Sequence, residues 1–366
     1  MDNETEVYRE LQKHLDRLPV GYPATATGVE LRLLKFLFTP QQARIALELD
    51  YRPQTLEQIY EHVKEWGMSL AELAASLEGM ADKGNTLCRK RGGVKTYASM
   101  PLLIGMGDLQ EKRVTTEFLN DFNEYLQEGF AAELFKLKVP QTRVIPVGKS
   151  ITATHRVGTY DELRSVIETA HDRIRIGECI CRKAMRMGGH TCEVTTRHES
   201  CMAFQDFADM LARTGWGRPI GKEEALQIAA ISEEEGLVLQ ATNEQEIRFI
   251  CSCCGDCCGL LKLAKAMPRP VEFLVSNYYA QVNLDLCEGC GTCVDRCQMG
   301  AIELQDDIAL INRDRCIGCG LCVPTCLSES MLLVKKEKEW VPPRDMDALY
   351  ESIMTHKRVT LQNPRV

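Results

Sequence analysis

Residues 287–297 read CEGCGTCVDRC, and this stretch decides how the chain is parsed. Its cysteines follow C-x2-C-x2-C-x3-C. The same spacing returns 29 residues later as CIGCGLCVPTC at 316–326. The register extends past the cysteines: Ala280, Val282, Asn283 and Asp285 line up with Ala309, Ile311, Asn312 and Asp314. AIEL after the first copy lines up with SMLL after the second. The pattern is an internal duplication of one structural unit.

The spacing carries chemistry. Three thiolates two residues apart can wrap a loop around one corner of an iron–sulfur cube. Glycines at 289, 291, 318 and 320 let the backbone approach and aim N–H groups at the sulfurs. Such bonds favour the reduced, more negative state. The fourth cysteine is expected to start a short helix that turns away. Two zinc knuckles are the alternative, and the duplicated three-plus-one spacing argues against them.

With these residues, 278–334 resembles the bacterial two-cluster ferredoxin domain. The resemblance implies two [4Fe–4S] clusters, one on Cys287, Cys290, Cys293 and Cys326, the other on Cys316, Cys319, Cys322 and Cys297. The family commonly has proline after the fourth cysteine. Here Gln298 and Leu327 stand there, a departure that bears on cluster tuning more than on cluster existence.

The chain has 366 residues, 45% hydrophobic and 26% charged, enough for two or three domains. A net charge of −8 argues against a generally nucleic-acid-binding surface. MDNETEVYRE at the start is acidic with no apolar core, so no signal peptide is expected. No stretch approaches about 18 apolar residues, so no membrane partner is expected and the reading is cytoplasmic. There, cysteine patterns point to metal or catalysis rather than disulfides.

Residues 28–100 read as three helices and a β-wing. TPQQARIALEL offers Thr39 as N-cap and Pro40 at the first helical position. RPQTLEQIYEHV and SLAELAASLEGMADKG follow, the latter placing Leu70, Leu73, Leu77 and Met80 on one face. RGGVKTYA supplies a turn and strand. The order resembles a winged-helix domain. However, the would-be reading helix shows Glu72, Glu78 and Asp82 where phosphate contacts need Lys and Arg, which argues against sequence-specific DNA binding. Cys88 has no partner cysteine near it and reads as a buried or incidental thiol. Residues 101–150 read as a helical connector, with Pro140 and Pro146 excluding long helix from its second half. A charged, proline-interrupted tail with a last helix, 336–366, is expected to cap the C-terminal module.

The remaining nine of the 18 cysteines are Cys179, Cys181, Cys192, Cys201, Cys251, Cys253, Cys254, Cys257 and Cys258. DRIRIGECICRKAM and EIRFICSCCGDCCGLLKLAKAM each read as strand, cysteines, helix. KEEALQIAAISEEEGLV reads as a helix closed by Gly236 and leading to a strand; TYDELRSVIETA is another helix. Such units build layered α/β domains, with ligands beyond the carboxyl ends of strands. Helix N-termini with Arg182 and Lys183 nearby should lower thiol pKa values. Cys179 and Cys181 share a face if the chain there is extended, as do Cys251 and Cys253. A subset of the nine is the candidate for an additional iron–sulfur cluster or zinc. A redox-active thiol pair is the alternative. His190, two residues before Cys192, is a weaker ligand candidate. GWGRPIG at 215–221 has glycines at the wrong intervals for a dinucleotide fingerprint and reads as a turn.

The expectation is therefore an α+β multidomain chain. It comprises a winged-helix-like domain at 1–100, a connector at 101–150, a Cys-rich layered α/β domain at 151–275, a two-cluster ferredoxin domain built as a βαβ pseudo-repeat at 276–335, and the tail. The function expected is electron transfer to or from a redox partner protein in a reducing or anaerobic setting. Two alternatives stay open: an iron–sulfur redox-sensing transcription regulator using the winged helix, and a reductase with a catalytic middle metal centre.

Overall fold

The computed structural model describes residues 3–151 and 161–362. It is a mixed α and β chain that divides into two compact units. The first unit takes residues 1–139 together with 206–217 and 347–366, and the second takes 140–205 and 218–346. The units thus interleave in sequence, unlike the linear boundaries expected, and the break falls at 139/140 rather than near 150.

In chain order the first unit begins with α1 (Asn3–Asp16), α2 (Val29–Leu37), α3 (Pro40–Ala46), β1 (Gln54–Thr55), α4 (Leu56–Val63) and α5 (Leu70–Asp82). Then come β2 (Leu87–Arg91), β3 (Val94–Ala98), α6 (Thr116–Tyr125) and α7 (Ala131–Phe135). Local chemistry starts three of these helices. Thr39 with Gln42, Thr55 with Gln58 and Ser69 with Glu72 each form a reciprocal capping box, satisfying orphan N–H groups at both positions. On α5, Leu73, Leu77 and Met80 are buried, but Leu70 is exposed, because it sits in the first turn at the rim. The strands form an antiparallel sheet of order β1-β3-β2.

The second unit holds β4 (Thr142–Ile145), α8 (Leu163–Thr169), β5 (Ile174–Glu178), α9 (Ile180–Met187) and β6 (Glu199–Phe204). Thr159 and Tyr160, where the first helix of this region was expected to begin, lie outside the described residues. Next along the chain is α10 (Gln205–Arg213), whose residues from Asp206 on belong to the first unit. The second unit resumes with β7 (Arg218–Ile220), α11 (Lys222–Glu234), β8 (Val238–Thr242), β9 (Phe249–Cys253) and α12 (Gly259–Ala266). The expected turn at 215–221 thus contains an edge strand, β7.

Strands β4 to β9 form one six-stranded sheet of order β4-β8-β9-β6-β5-β7, and every pairing in it is antiparallel. The layered α/β domain expected from sequence is here a mixed domain around a wholly antiparallel sheet. The strand-end placement of the cysteines survives for another reason. β6 lies between β5 and β9 and runs against both, so two reversals leave β5 and β9 pointing the same way. Their carboxyl ends and the start of β6 therefore meet at one edge. Beneath lies a core containing Ile145, Ile167, Ile176, Met202, Phe204, Leu239 and Ile250.

The chain continues through β10 (Tyr278–Val282), α13 (Thr292–Arg296), β11 (Ile302–Gln305), β12 (Ile308–Ile311) and β13 (Met331–Lys335). β10 pairs with β13 and β11 with β12, both antiparallel. Asp306 and Asp307 both take positive φ, the two-residue hairpin turn that matches strand twist. The helix stands before the fourth cysteine, not after it: Cys297 caps the end of α13. The second copy has only turns there, with Pro324 inside the segment that would have to be helical. Residues 336–346 stay with the second unit, where Trp340 donates its backbone N–H to Asn277 and its indole N–H to Asn243. The last helix, α14 (Met346–Gln362), belongs from Asp347 on to the first unit.

Candidate metal and cluster sites

The duplicated loops assemble two four-thiol sets. One pocket is lined by Cys287, Cys290, Cys293 and Cys326 together. Cys297 instead lies within electrostatic reach of Cys316, Cys319 and Cys322. Each copy thus lends its fourth cysteine to the other. The backbone repeats the exchange. Ala280 of the first copy donates its N–H to Cys316 Sγ at 3.3 Å, and its equivalent Ala309 donates to Cys287 Sγ at 3.5 Å. Asn283 and Asn312 make matching turns, each accepting the N–H two residues on, at 3.1 and 3.0 Å.

These residues fit iron–sulfur clusters. Ala301 N–H points at Cys297 Sγ at 3.2 Å, and the Ser330 and Ser328 hydroxyls lie against Cys326 Sγ at 3.1 and 3.5 Å. Gly289 and Gly318 take φ of +66° and +69°, where a Cβ would run into the carbonyls of Asp307 and Tyr278. Burial pushes the Cys319 thiol up to about 12.

The nine middle thiols do not form one cluster. Six of them influence one another's ionisation in a closed circuit: Cys179 with Cys181 and Cys201, Cys201 with Cys251, Cys251 with Cys253, Cys253 with Cys258, and Cys258 with Cys181. Cys251 and Cys253 alternate onto one face of β9 as expected. Cys179 and Cys181 do not share an extended strand; Cys179 is the N-cap of α9 and Cys181 lies in its first turn. Cys258 caps α12. Cys201, isolated in sequence, closes the circuit because β6 is the strand between β5 and β9. Gln240 on β8 donates its amide N–H to Cys258 Sγ at 3.5 Å.

Of the middle thiols expected to fall, Cys179 does so, chiefly through neighbouring thiols rather than the helix end. Hydrogen bonds from Cys181 and Cys201, with Arg182 nearby, hold its thiol well below the ordinary value. Its two donors are pushed up by those same bonds and by burial. Arg182 is 5% exposed and donates to Ser252 O at 3.1 Å, to Cys254 Sγ at 3.8 Å and to Ser200 Oγ.

The other three middle thiols, Cys192, Cys254 and Cys257, gather with Asp256 so that one ligand atom from each lies within 4.8 Å of all the others. His190 reaches this group only through Asp256, its Nε2 3.1 Å from Oδ2. Sequence spacing gave no sign that neighbours such as Cys253 and Cys254 would part. Cys88 belongs to neither group. It is buried in the first unit, where Arg213 donates to its sulfur at 3.1 Å.

Comparison with known proteins agrees with the C-terminal geometry. The family described as 4Fe-4S dicluster domain matches residues 286–330. A protein named probable ferredoxin, from Methanosarcina thermophila, is 64% identical over 28 residues, which is 8% of this chain and 48% of that protein. The match thus spans about half the length of that relative. No solved structure matches. Among the described residues, no helix is long and apolar enough to cross a membrane. The chain carries a C-terminal 4Fe–4S ferredoxin-type domain.

Proposed function

We propose that the protein is an electron carrier with three iron–sulfur centres. Cys287, Cys290, Cys293 and Cys326 would hold one [4Fe–4S] cluster, and Cys316, Cys319, Cys322 and Cys297 the second. The six-thiol circuit would hold a further iron–sulfur centre. Bound clusters supply one-electron storage. The chain supplies the rest: thiol donors, N–H groups aimed at sulfur from Ala280, Ala301 and Ala309, and burial that limits water.

One observation carries the reading. Cys253 and Cys258 of the circuit belong to the same packed core that Cys297, Cys316 and Cys319 pack against. A middle centre and the second cluster would therefore be built on one packed core, the arrangement that supports electron exchange between them. The N-terminal elements, helices α3 to α5 with the β2–β3 hairpin, support a winged-helix-like module, read as a docking element for a redox partner protein. The regulator alternative finds no support there. Arg213 is drawn onto Glu78 and Asp82 of α5, which leaves no cationic helix face for phosphate. No feature of the site names a reductase substrate. The crowded free thiols support the reading of a reducing, cytoplasmic setting.

Anaerobic iron and sulfide quantitation with electron paramagnetic resonance tests this reading. The expected total is about twelve irons per chain, three cubes of four. A total of about eight would confine iron to the C-terminal domain. Colourless, iron-free protein would end the proposal.

A further inference from the structure

The group at Cys192, Cys254, Asp256 and Cys257 differs from the cluster sites in scale. A cube binds each ligand to a different iron, so its ligand atoms stand well apart. A single tetrahedral zinc with Zn–S bonds of about 2.3 Å brings sulfurs within about 3.8 Å of one another. Cys192 and Cys254 sulfurs are 3.6 Å apart, Cys192 Sγ is 3.8 Å from Asp256 Oδ1, and Cys257 Sγ is 3.3 Å from Oδ2. Those separations suit one ion.

The surroundings are those of a ligand set held in place. Cys254 and Cys257 are 1% and 3% exposed. Leu237, Met185 and Val194 pack around the sulfurs. Asp256 Oδ2 accepts from the Glu193 N–H at 2.9 Å, faces His190 Nε2 at 3.1 Å and meets the Cys257 thiol at 3.3 Å, and Oδ1 faces Cys192. Outer hydrogen bonds of this kind orient a ligating carboxylate. Arg182 donates to Cys254 and offsets part of the negative charge. Three soft sulfurs and one oxygen suit zinc better than a hard, oxygen-seeking ion.

We propose that Cys192, Cys254, Cys257 and Asp256 form a mononuclear tetrahedral zinc site, separate from the iron-binding cysteines. It rests on the reading that the middle thiols bind metal, but not on the circuit holding iron. Its role is a clasp. Residues 188–198, between α9 and β6, have almost no regular structure and are mostly exposed. Cys192, His190 and Glu193 are the points at which this segment meets the 254–257 loop. Zinc there would fix the segment beside the six-thiol circuit.

The test uses the full chain, purified without air from cells supplied with zinc and iron, with both metals measured by mass spectrometry. The expected result is about one zinc per chain. Cys192→Ser should lose at least tenfold in zinc retention against a chelator, with iron unchanged, and residues 188–198 should become readily cleaved by protease. Should Cys192→Ser fail to fold, Asp256→Asn keeps size and most hydrogen bonds and should weaken zinc by roughly tenfold. Cobalt in place of zinc should give thiolate-to-cobalt charge-transfer and tetrahedral d–d bands that Asp256→Asn shifts. Absence of zinc, zinc indifferent to both substitutions, iron lost in step with zinc, or a Cys192–Cys254 disulfide in the anaerobic protein would each overturn the proposal. Iron content reads the electron-carrier proposal separately, since a chain with twelve irons and no zinc fails here alone.

Discussion

The side-chain carbonyl of Gln298 accepts the backbone N–H of Gly255 at 2.8 Å, and the same side chain donates to Gly236 O at 3.1 Å. Gln298 stands where two-cluster ferredoxins commonly have proline. The departure thus has a structural use: it ties the residue after Cys297 to the loop that carries Cys254 and Cys257. Arg296 adds to the joint by donating to Glu234 O at 2.8 Å.

Removing that tie should cost stability. Gln298→Ala leaves the buried Gly255 N–H unpaired, and we expect a loss of about 1–3 kcal/mol in anaerobic denaturant unfolding. Gly255→Ala should act in the same direction, because its Cβ would fall 2.8 Å from Gln298 O. A change within about 0.5 kcal/mol, the level of an ordinary surface substitution, would mean the joint contributes little.

The exchange of fourth cysteines can be read from double substitutions. Cys297→Ser and Cys319→Ser act on one site, so the double variant should lose no more iron than either single, about four atoms. Cys297→Ser with Cys290→Ser acts on two sites and should lose about eight. The opposite pattern would show that each loop keeps its own fourth cysteine.

Cys201 tests the six-thiol circuit, since sequence alone gives it no partner. Cys201→Ser should remove about four irons while the resonance signals of the C-terminal domain persist. Full iron content with unchanged spectra would take the circuit out of the electron path.

Cys88 should behave differently from the seventeen other cysteines. It is held by Arg213, which also donates to Glu78 and Asp82. Cys88→Ala should leave iron and zinc content unchanged by elemental analysis. Arg213→Ala should lower the first unit's stability by about 1 kcal/mol, the modest value of partly exposed ion pairs.

The C-terminal ferredoxin-type domain was legible in the sequence because most of its pattern is local. Spacings of two residues, with glycines at positive φ, gather three thiols on a single loop, and the fourth comes from the duplicate copy. The helix was misread, since α13 ends at Cys297 rather than starting there and the second copy has only turns. The three capping boxes were partly visible for the same reason, being contacts between residues three apart.

The middle region was legible only in part. The sequence by itself determined that its cysteines gather at strand ends and helix starts, because hydrophobic runs and glycines mark those ends. Tertiary structure decided which thiols meet. The antiparallel order placed β6 between β5 and β9 and so brought Cys201 to the edge. Strand alternation put Cys251 and Cys253 on one face, and the turn after β9 sent Cys254 away to Cys192. A metal site depends on distances between atoms far apart along the chain, and those distances come from packing, which local spacing does not encode.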